Sequence, residues 1–227
     1  MKIHVRYKLH YAYEGPVGLG RHEFRILPRQ DHFQQIEGFS LCCEGENSLF
    51  YRRDAFDNEF VSIFFKQPVD SVKVNMEFTL HTTKRNPYNF LLDKRAEKFP
   101  LCLVEEELKG VGFYLPSQED FSLPEELKVK EGTDVVRGIS LLNEWHFENI
   151  GYEVREEGDA LPPDQTLLNQ RGACRDTSLL FAEVLRRNGV PTRLVSGFLA
   201  KSTKDETENR AENALHAWVE AYLPGAG

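Results

Sequence analysis

The chain has 227 residues, 41% hydrophobic and 28% charged, the make-up of an ordinary folded protein with room for one large or two small domains. A formal net charge of −8 and a pI near 5.5 argue against nucleic acid or an anionic membrane as its main partner. Cys42, Cys43, Cys102 and Cys174 show no Cys-x-x-Cys spacing, so neither a zinc site nor a redox motif is expected.

From the start, Ile3, Val5, Tyr7, Leu9, Tyr11 and Tyr13 alternate with polar residues. That is the pattern of a long half-buried strand, with His4 and His10 on its wet face and Gly15-Pro16 as its end. The same alternation lacks the continuous apolar core of a signal peptide, and no apolar run approaches the ~20 residues of a membrane span. A reducing, cytoplasmic setting is the expectation. Further strands are predicted at His22–Leu27, Phe39–Cys43 and Ser48–Arg53. A turn over Asp54–Glu59 leads into Phe60–Phe65, and Ser71–Leu80 alternates again. Adjacent Cys42 and Cys43 should point to opposite faces of their strand. Short strands at close spacing, without a helix among them, predict an antiparallel β-sandwich.

Pro87, Pro100, Pro116 and Pro124 break up the middle of the chain, so a linker is placed here with a boundary near residue 115. Glu105-Glu106-Glu107 reads as a solvated helical face. Asp134–Ile150 is a predicted helix, with Thr133 as N-cap and Val135, Ile139, Leu142 and Trp145 on one face.

Residues 174 to 187 have helical period, with Thr177, Leu180, Phe181, Val184 and Leu185 on the buried face. Asn188-Gly189 supplies the stop and Pro191 prevents continuation. Cys174 then falls in the first turn, where free N–H groups and the helix dipole favour a thiolate. A small cysteine packed at a helix start reads from the same position. His216 answers it, on a predicted strand whose one face carries His216, Trp218, Glu220 and Tyr222. Leu194–Ala200 is a short strand, and the polar run Lys201–Asn213 reads as a loop that shapes access to the site.

Three segments in order, Gly172-Ala173-Cys174-Arg175-Asp176, Leu185 through Phe198, and His216-Ala217-Trp218-Val219-Glu220, resemble the transglutaminase-like superfamily. These are cysteine enzymes with a papain-like core and a Cys–His–Asp triad. Phe24-Arg25-Ile26-Leu27-Pro28-Arg29, the Asp54–Asn58 turn and Asn86 through Leu92 resemble the N-terminal region that precedes such cores in bacterial proteins. The usual turn has Gly where this chain has Asp57, which tolerates the left-handed conformation. The resemblance implies an α+β protein: an N-terminal antiparallel β domain with linker at 1–115, then a papain-like transglutaminase core at 116–227. It makes Cys174 the nucleophile and His216 the base. The family's third member, an Asp a dozen or so residues after the histidine, has no match up to Gly227, so the core is expected to be incomplete there. Upstream aromatic side chains complete the oxyanion hole in some members; Trp145 is placed for that or for core packing. Asp176 reads as structural, with Arg193 pairing either it or Glu183.

The expected chemistry is acyl transfer from a peptide or protein amide through a thioester. Hydrolysis as a peptidase or deamidase is favoured over transamidation, because water needs no amine site. No cofactor or metal is implied. A non-catalytic binding scaffold with a degenerate core is the alternative.

Overall fold

The computed structural model describes residues 1–83, 86–116, 121–155, 157–199 and 215–227, in two units, Met1–Pro87 and Tyr88–Gly227. The first unit is built from two antiparallel sheets of three strands each. One has the order β1 (Lys2–Val17), β6 (Val69–Thr82), β3 (Gln34–Cys43), and the other β2 (His22–Phe24), β5 (Glu59–Phe65), β4 (Asn47–Arg53). The alternation read from the sequence becomes the core: Val72, Val74, Met76 and Phe78 of β6 are buried, flanked by Leu41 and Cys43 of β3. Cys42 is exposed, as adjacent positions on a strand require.

Two strand boundaries differ from expectation. β1 does not stop at Gly15-Pro16; it continues to Val17 through an irregularity after Ala12. Proline is tolerated because β1 is an edge strand and can spare an N–H there. β2 ends at Phe24 and not at Leu27. Arg25 turns aside, stacks over the Phe60 ring at 4.5 Å and donates to Asp54 at 2.8 Å. Asp54 also accepts from the Phe56 and Asn58 backbone N–H groups, at 2.9 and 3.0 Å. Asp57 takes the left-handed conformation, at φ 64°.

In the second unit, contacts gather residues 88–116 with the core and not with the strands before them. Phe99 N–H donates to the Thr133 carbonyl, Val135 N–H to Glu97 and Asp93 N–H to Pro224. A short helix α1 (Glu105–Val111) follows. The acidic run is not uniformly solvated: Glu107 accepts two bonds from Arg95, at 2.6 and 2.7 Å, and one from the Tyr222 hydroxyl at 2.9 Å. The Arg95 bond leads in lowering its carboxyl to about 2. α2 (Val135–Asn149) is capped by Asp134, whose side chain accepts from Arg137 N–H, and not by Thr133. Trp145 packs against the core cluster.

The remaining elements surround one helix. They are β7 (Gly151–Tyr152), α3 (Pro163–Asn169), β8 (Arg171–Gly172), α4 (Cys174–Arg187), β9 (Thr192–Phe198) and β10 (Leu215–Ala221). α4 packs against α2, α3, β8, β9 and β10, so it is buried well beyond one stripe: Ser178, Ala182 and Glu183 are covered as well as Leu180, Phe181, Val184 and Leu185. Each of the large apolar chains contributes roughly 1.5–3 kcal/mol. Gly189, at φ +79°, ends the helix. Asn188 donates to the Leu127 carbonyl and accepts from Val129 N–H. The predicted loop at Lys201–Asn213 lies outside the described residues.

The hydrogen bond from the Asn58 side chain leads the interactions that hold the Asp54 carboxyl down to about 2. An unfolded Asp titrates at ~3.9, so this group's stabilisation is full above that value and is lost as pH falls from about 4 to about 2. Thermal melts of the chain and of Asp54→Ala should therefore differ at pH 7 and converge only as pH falls to about 2.

Candidate active site

Cys174 is the first residue of α4, half-buried and unbridged. What fixes the helix start is Asp176. Its carboxylate is fully buried and accepts from Ala173 N–H at 2.8 Å, Leu161 N–H at 2.8 Å and the Arg155 guanidinium at 2.6 Å. Burial pushes this carboxyl up, but the two backbone bonds and Arg155 outweigh it and hold it below its ordinary value. Arg175 donates to the carbonyls of Arg155 and Glu157, at 2.9 and 2.8 Å, so the segment after β7 is tied twice to the helix. Gly172 is required by this packing, because a Cβ there would lie 2.7 Å from the Asp176 Cβ.

The capping contacts leave useful donors. Asp176 takes the Ala173 N–H, while Asp176 and Thr177 donate their own N–H groups to the Ala173 carbonyl. Among the described residues the Cys174 and Arg175 N–H groups have no backbone partner. They belong to the orphan donors of a helix start, where an anion is favoured.

Tyr152 stands beside the cysteine. β7 runs parallel to β8 with Tyr152 opposite Gly172, and Glu153 N–H donates to the Gly172 carbonyl at 3.0 Å. Burial raises the Tyr152 phenol, and the neighbouring Cys174 raises it further. Nothing in the sequence singled out Tyr152: a two-residue strand has no periodicity to read.

His216 is on β10, opposite Gly197 of β9, and β10 packs on α4. Val219 and Ala221 join the core cluster, so the other strand face carries His216 and Trp218. The Trp218 ring lies over Gly197, where a Cβ would come within 2.4 Å of it. His216 is half-buried; its Nδ1 is enclosed and has no hydrogen-bond partner among the described residues. No hydrogen bond joins Cys174 Sγ to the His216 ring among those residues, and catalytic bonds are often long before substrate binds. Arg193 pairs neither Asp176 nor Glu183. It donates across the strands to Glu220, at 2.6 and 2.9 Å, while Glu183 holds Arg187 at 2.8 Å. Among the described residues no group of three His, Cys, Asp or Glu side chains gathers as a metal site, and no helix is long and apolar enough to cross a membrane.

Comparisons with known proteins follow this division. Residues 122–227 match the model of the transglutaminase-like superfamily, and residues 3–81 that of the bacterial transglutaminase-like N-terminal region. A solved structure from Cytophaga hutchinsonii, described as a "putative cysteine protease", shares the fold. It aligns with a TM-score of 0.73 at 18% identity over 99% of this chain and 74% of its own. The periplasmic domain of TgpA from Pseudomonas aeruginosa, bound to ethylmercury, covers 99% of this chain and 70% of its own at 18% identity. Its TM-score of 0.34 is too low to bear on the fold. An uncharacterized protein of Mycobacterium leprae is 38% identical over 55 residues, which is 24% of this chain and 20% of that protein's length.

Removing the Asp176 charge strands Arg155, which is itself a quarter exposed, and frees two backbone N–H groups. Asp176→Ala should cost about 2–4 kcal/mol in urea unfolding. Gly197→Ala should displace the half-exposed Trp218 ring without unfolding the chain, read as a shift in tryptophan emission with a Tm change of only about 2–4 °C.

Proposed function

We propose that this chain, whose core belongs to the transglutaminase-like superfamily and follows a bacterial transglutaminase-like N-terminal region, is a cysteine-dependent acyl-transfer enzyme that hydrolyses amide bonds of peptides or proteins. The observation that carries the reading is the start of α4, a half-buried thiol at the first helical position beside N–H groups that have no backbone partner among the described residues. Cys174 attacks the carbonyl carbon, and the electron pair moves onto the carbonyl oxygen. The Cys174 N–H meets that oxyanion, and Tyr152, the phenol beside the thiol, is assigned as the second donor. His216 takes the thiol proton and returns it to the leaving amine as the C–N bond breaks, leaving a thioester. Water, deprotonated by the same imidazole, then releases the acid. An acceptor on whichever ring nitrogen is turned away from the thiol would orient His216 for this role.

Two experiments test this. The first is the rate of iodoacetamide labelling at Cys174 between pH 4 and 10, followed by peptide mapping because Cys42 and Cys102 are exposed thiols that would label as well. Labelling should stay fast well below the ordinary thiol pKa of ~8.5 and slow in His216→Ala. A profile that follows an ordinary thiol and ignores the mutation would leave Cys174 a packing residue. The second is turnover of p-nitrophenyl acetate. Cys174→Ala should abolish it, and Tyr152→Phe should reduce kcat by roughly 10²-fold. Added glycine ethyl ester should not raise it; formation of the acetylated amine would replace hydrolysis by transamidation.

A further inference from the structure

β1 is 16 residues long and, among the described residues, pairs with β6 alone, so its other side is a free edge. We propose that this edge docks an extended segment of a partner protein in which acidic and apolar residues alternate, adding it to the sheet as a further strand.

The apolar side of β1 is unfinished. Val5, Tyr7 and Leu9 stand opposite Phe78, Met76 and Val74 of β6. Those three are 2%, 2% and 0% exposed, yet their β1 neighbours are only half-buried. On the opposite edge strand, β3, Leu41 and Cys43 are buried, while Ile36 and Phe39 are half-buried. An incoming strand with apolar residues at alternate positions would cover the half-buried row, as Leu41 and Cys43 of β3 are covered.

The other side of β1 chooses the partner's charge. Lys2, His4, Arg6, Lys8 and His10 are all exposed and contain no acid. Facing them on β6 are His81, Thr79, Glu77, Asn75 and Lys73. Glu77 is taken by Arg6 at 3.0 Å, and Lys73 by Glu44 at 3.2 Å. The neighbouring acid on β3, Glu37, is held by His81 at 2.8 Å. Lys2 and Lys8 form no ion pair among the described residues. The negative charge of the chain lies elsewhere: residues 1–87 hold twelve Lys and Arg against eleven Asp and Glu.

A row of charge on an edge strand usually guards against pairing with a second copy, and here two β1 strands would set like charges opposite each other. That guard explains the basic row but leaves the open apolar row without a purpose. Strand addition uses both: backbone bonds and apolar cover supply affinity, and the basic row admits acidic segments alone.

The test uses the full chain and a fluorescein-labelled twelve-residue peptide of alternating Glu and Val, followed by anisotropy. Its outcome is independent of the chemistry at Cys174. Binding is expected in the micromolar range, weakened about tenfold or more by Lys2→Glu with Lys8→Glu and by salt raised from about 0.05 to 0.5 M. Lys8→Gln should give a smaller, graded loss, which keeps the test open if the double variant folds poorly. The matching Lys-Val peptide should not bind, and hydrogen exchange should slow in β1. The proposal falls if the Glu-Val peptide does not bind at about 1 mM, if charge reversal leaves its affinity unchanged, or if the protected amides lie outside β1. A wild-type chain that sediments as a dimer with β1 protected would assign the edge to a second copy and overturn it as well.

Discussion

Everything at the candidate site depends on a buried carboxylate. Asp176 is taken out of water completely, which costs several kcal/mol unless its oxygens are satisfied. Three donors repay that cost, and each arrives from a different stretch: Ala173 before the helix, Leu161 from the approach to α3, and Arg155 from the segment after β7. Break the carboxylate and these stretches lose their common point. The arrangement also decides which helix donors stay free. By capping Ala173, Asp176 fixes the helix start without occupying the Cys174 N–H. The carboxylate is therefore structural: it fixes the place at which the Cys174 thiol and its neighbouring N–H groups are presented.

The same logic extends along β10. His216 sits at one end of the strand and Tyr222 lies just past the other. Tyr222 is held by Glu107, Glu107 by Arg95, and Pro224 accepts from Asp93 N–H. Gly225 comes so close to this stretch that a Cβ would lie 2.5 Å from the Asp93 nitrogen. Residues 88–116 thus work as a strap across the far end of the histidine strand. Val219 and Ala221 fasten its middle to α4. The position of His216 is set by packing spread over the whole strand.

Much of this was legible in the sequence, and what was legible shared one property: it was periodic or local. The 3.6-residue pattern of Leu180, Phe181, Val184 and Leu185 located the cysteine helix, and the two-residue alternation of β6 located the first unit's core. The stop at Asn188-Gly189 was readable because a left-handed glycine is a local necessity. What escaped was long-range pairing between charged residues. Arg155 and Asp176 are 21 positions apart, and Glu107 and Tyr222 are 115 apart, with no pattern connecting either pair. Glu105-Glu106-Glu107 shows the limit well: three identical side chains, of which geometry sets one apart. Tyr152 escaped for a related reason, since its strand is too short to have a period. Pro16 misled in the opposite direction, because a rule for strand ends is weaker at a sheet edge.

Histidine and cysteine at this site face opposite electrostatic demands. A thiolate would need positive surroundings; the helix start carries N–H groups without a backbone partner and Arg175, whose guanidinium is bound by carbonyls and meets no carboxylate among the described residues. An imidazolium needs an acceptor on the nitrogen turned away from the thiol. His216 Nδ1 is enclosed yet unpartnered among those residues. A buried polar atom without a partner costs about 1–3 kcal/mol, a cost that folding alone gives no reason to accept. An imidazole kept there for packing alone would be better replaced by an apolar ring of similar size.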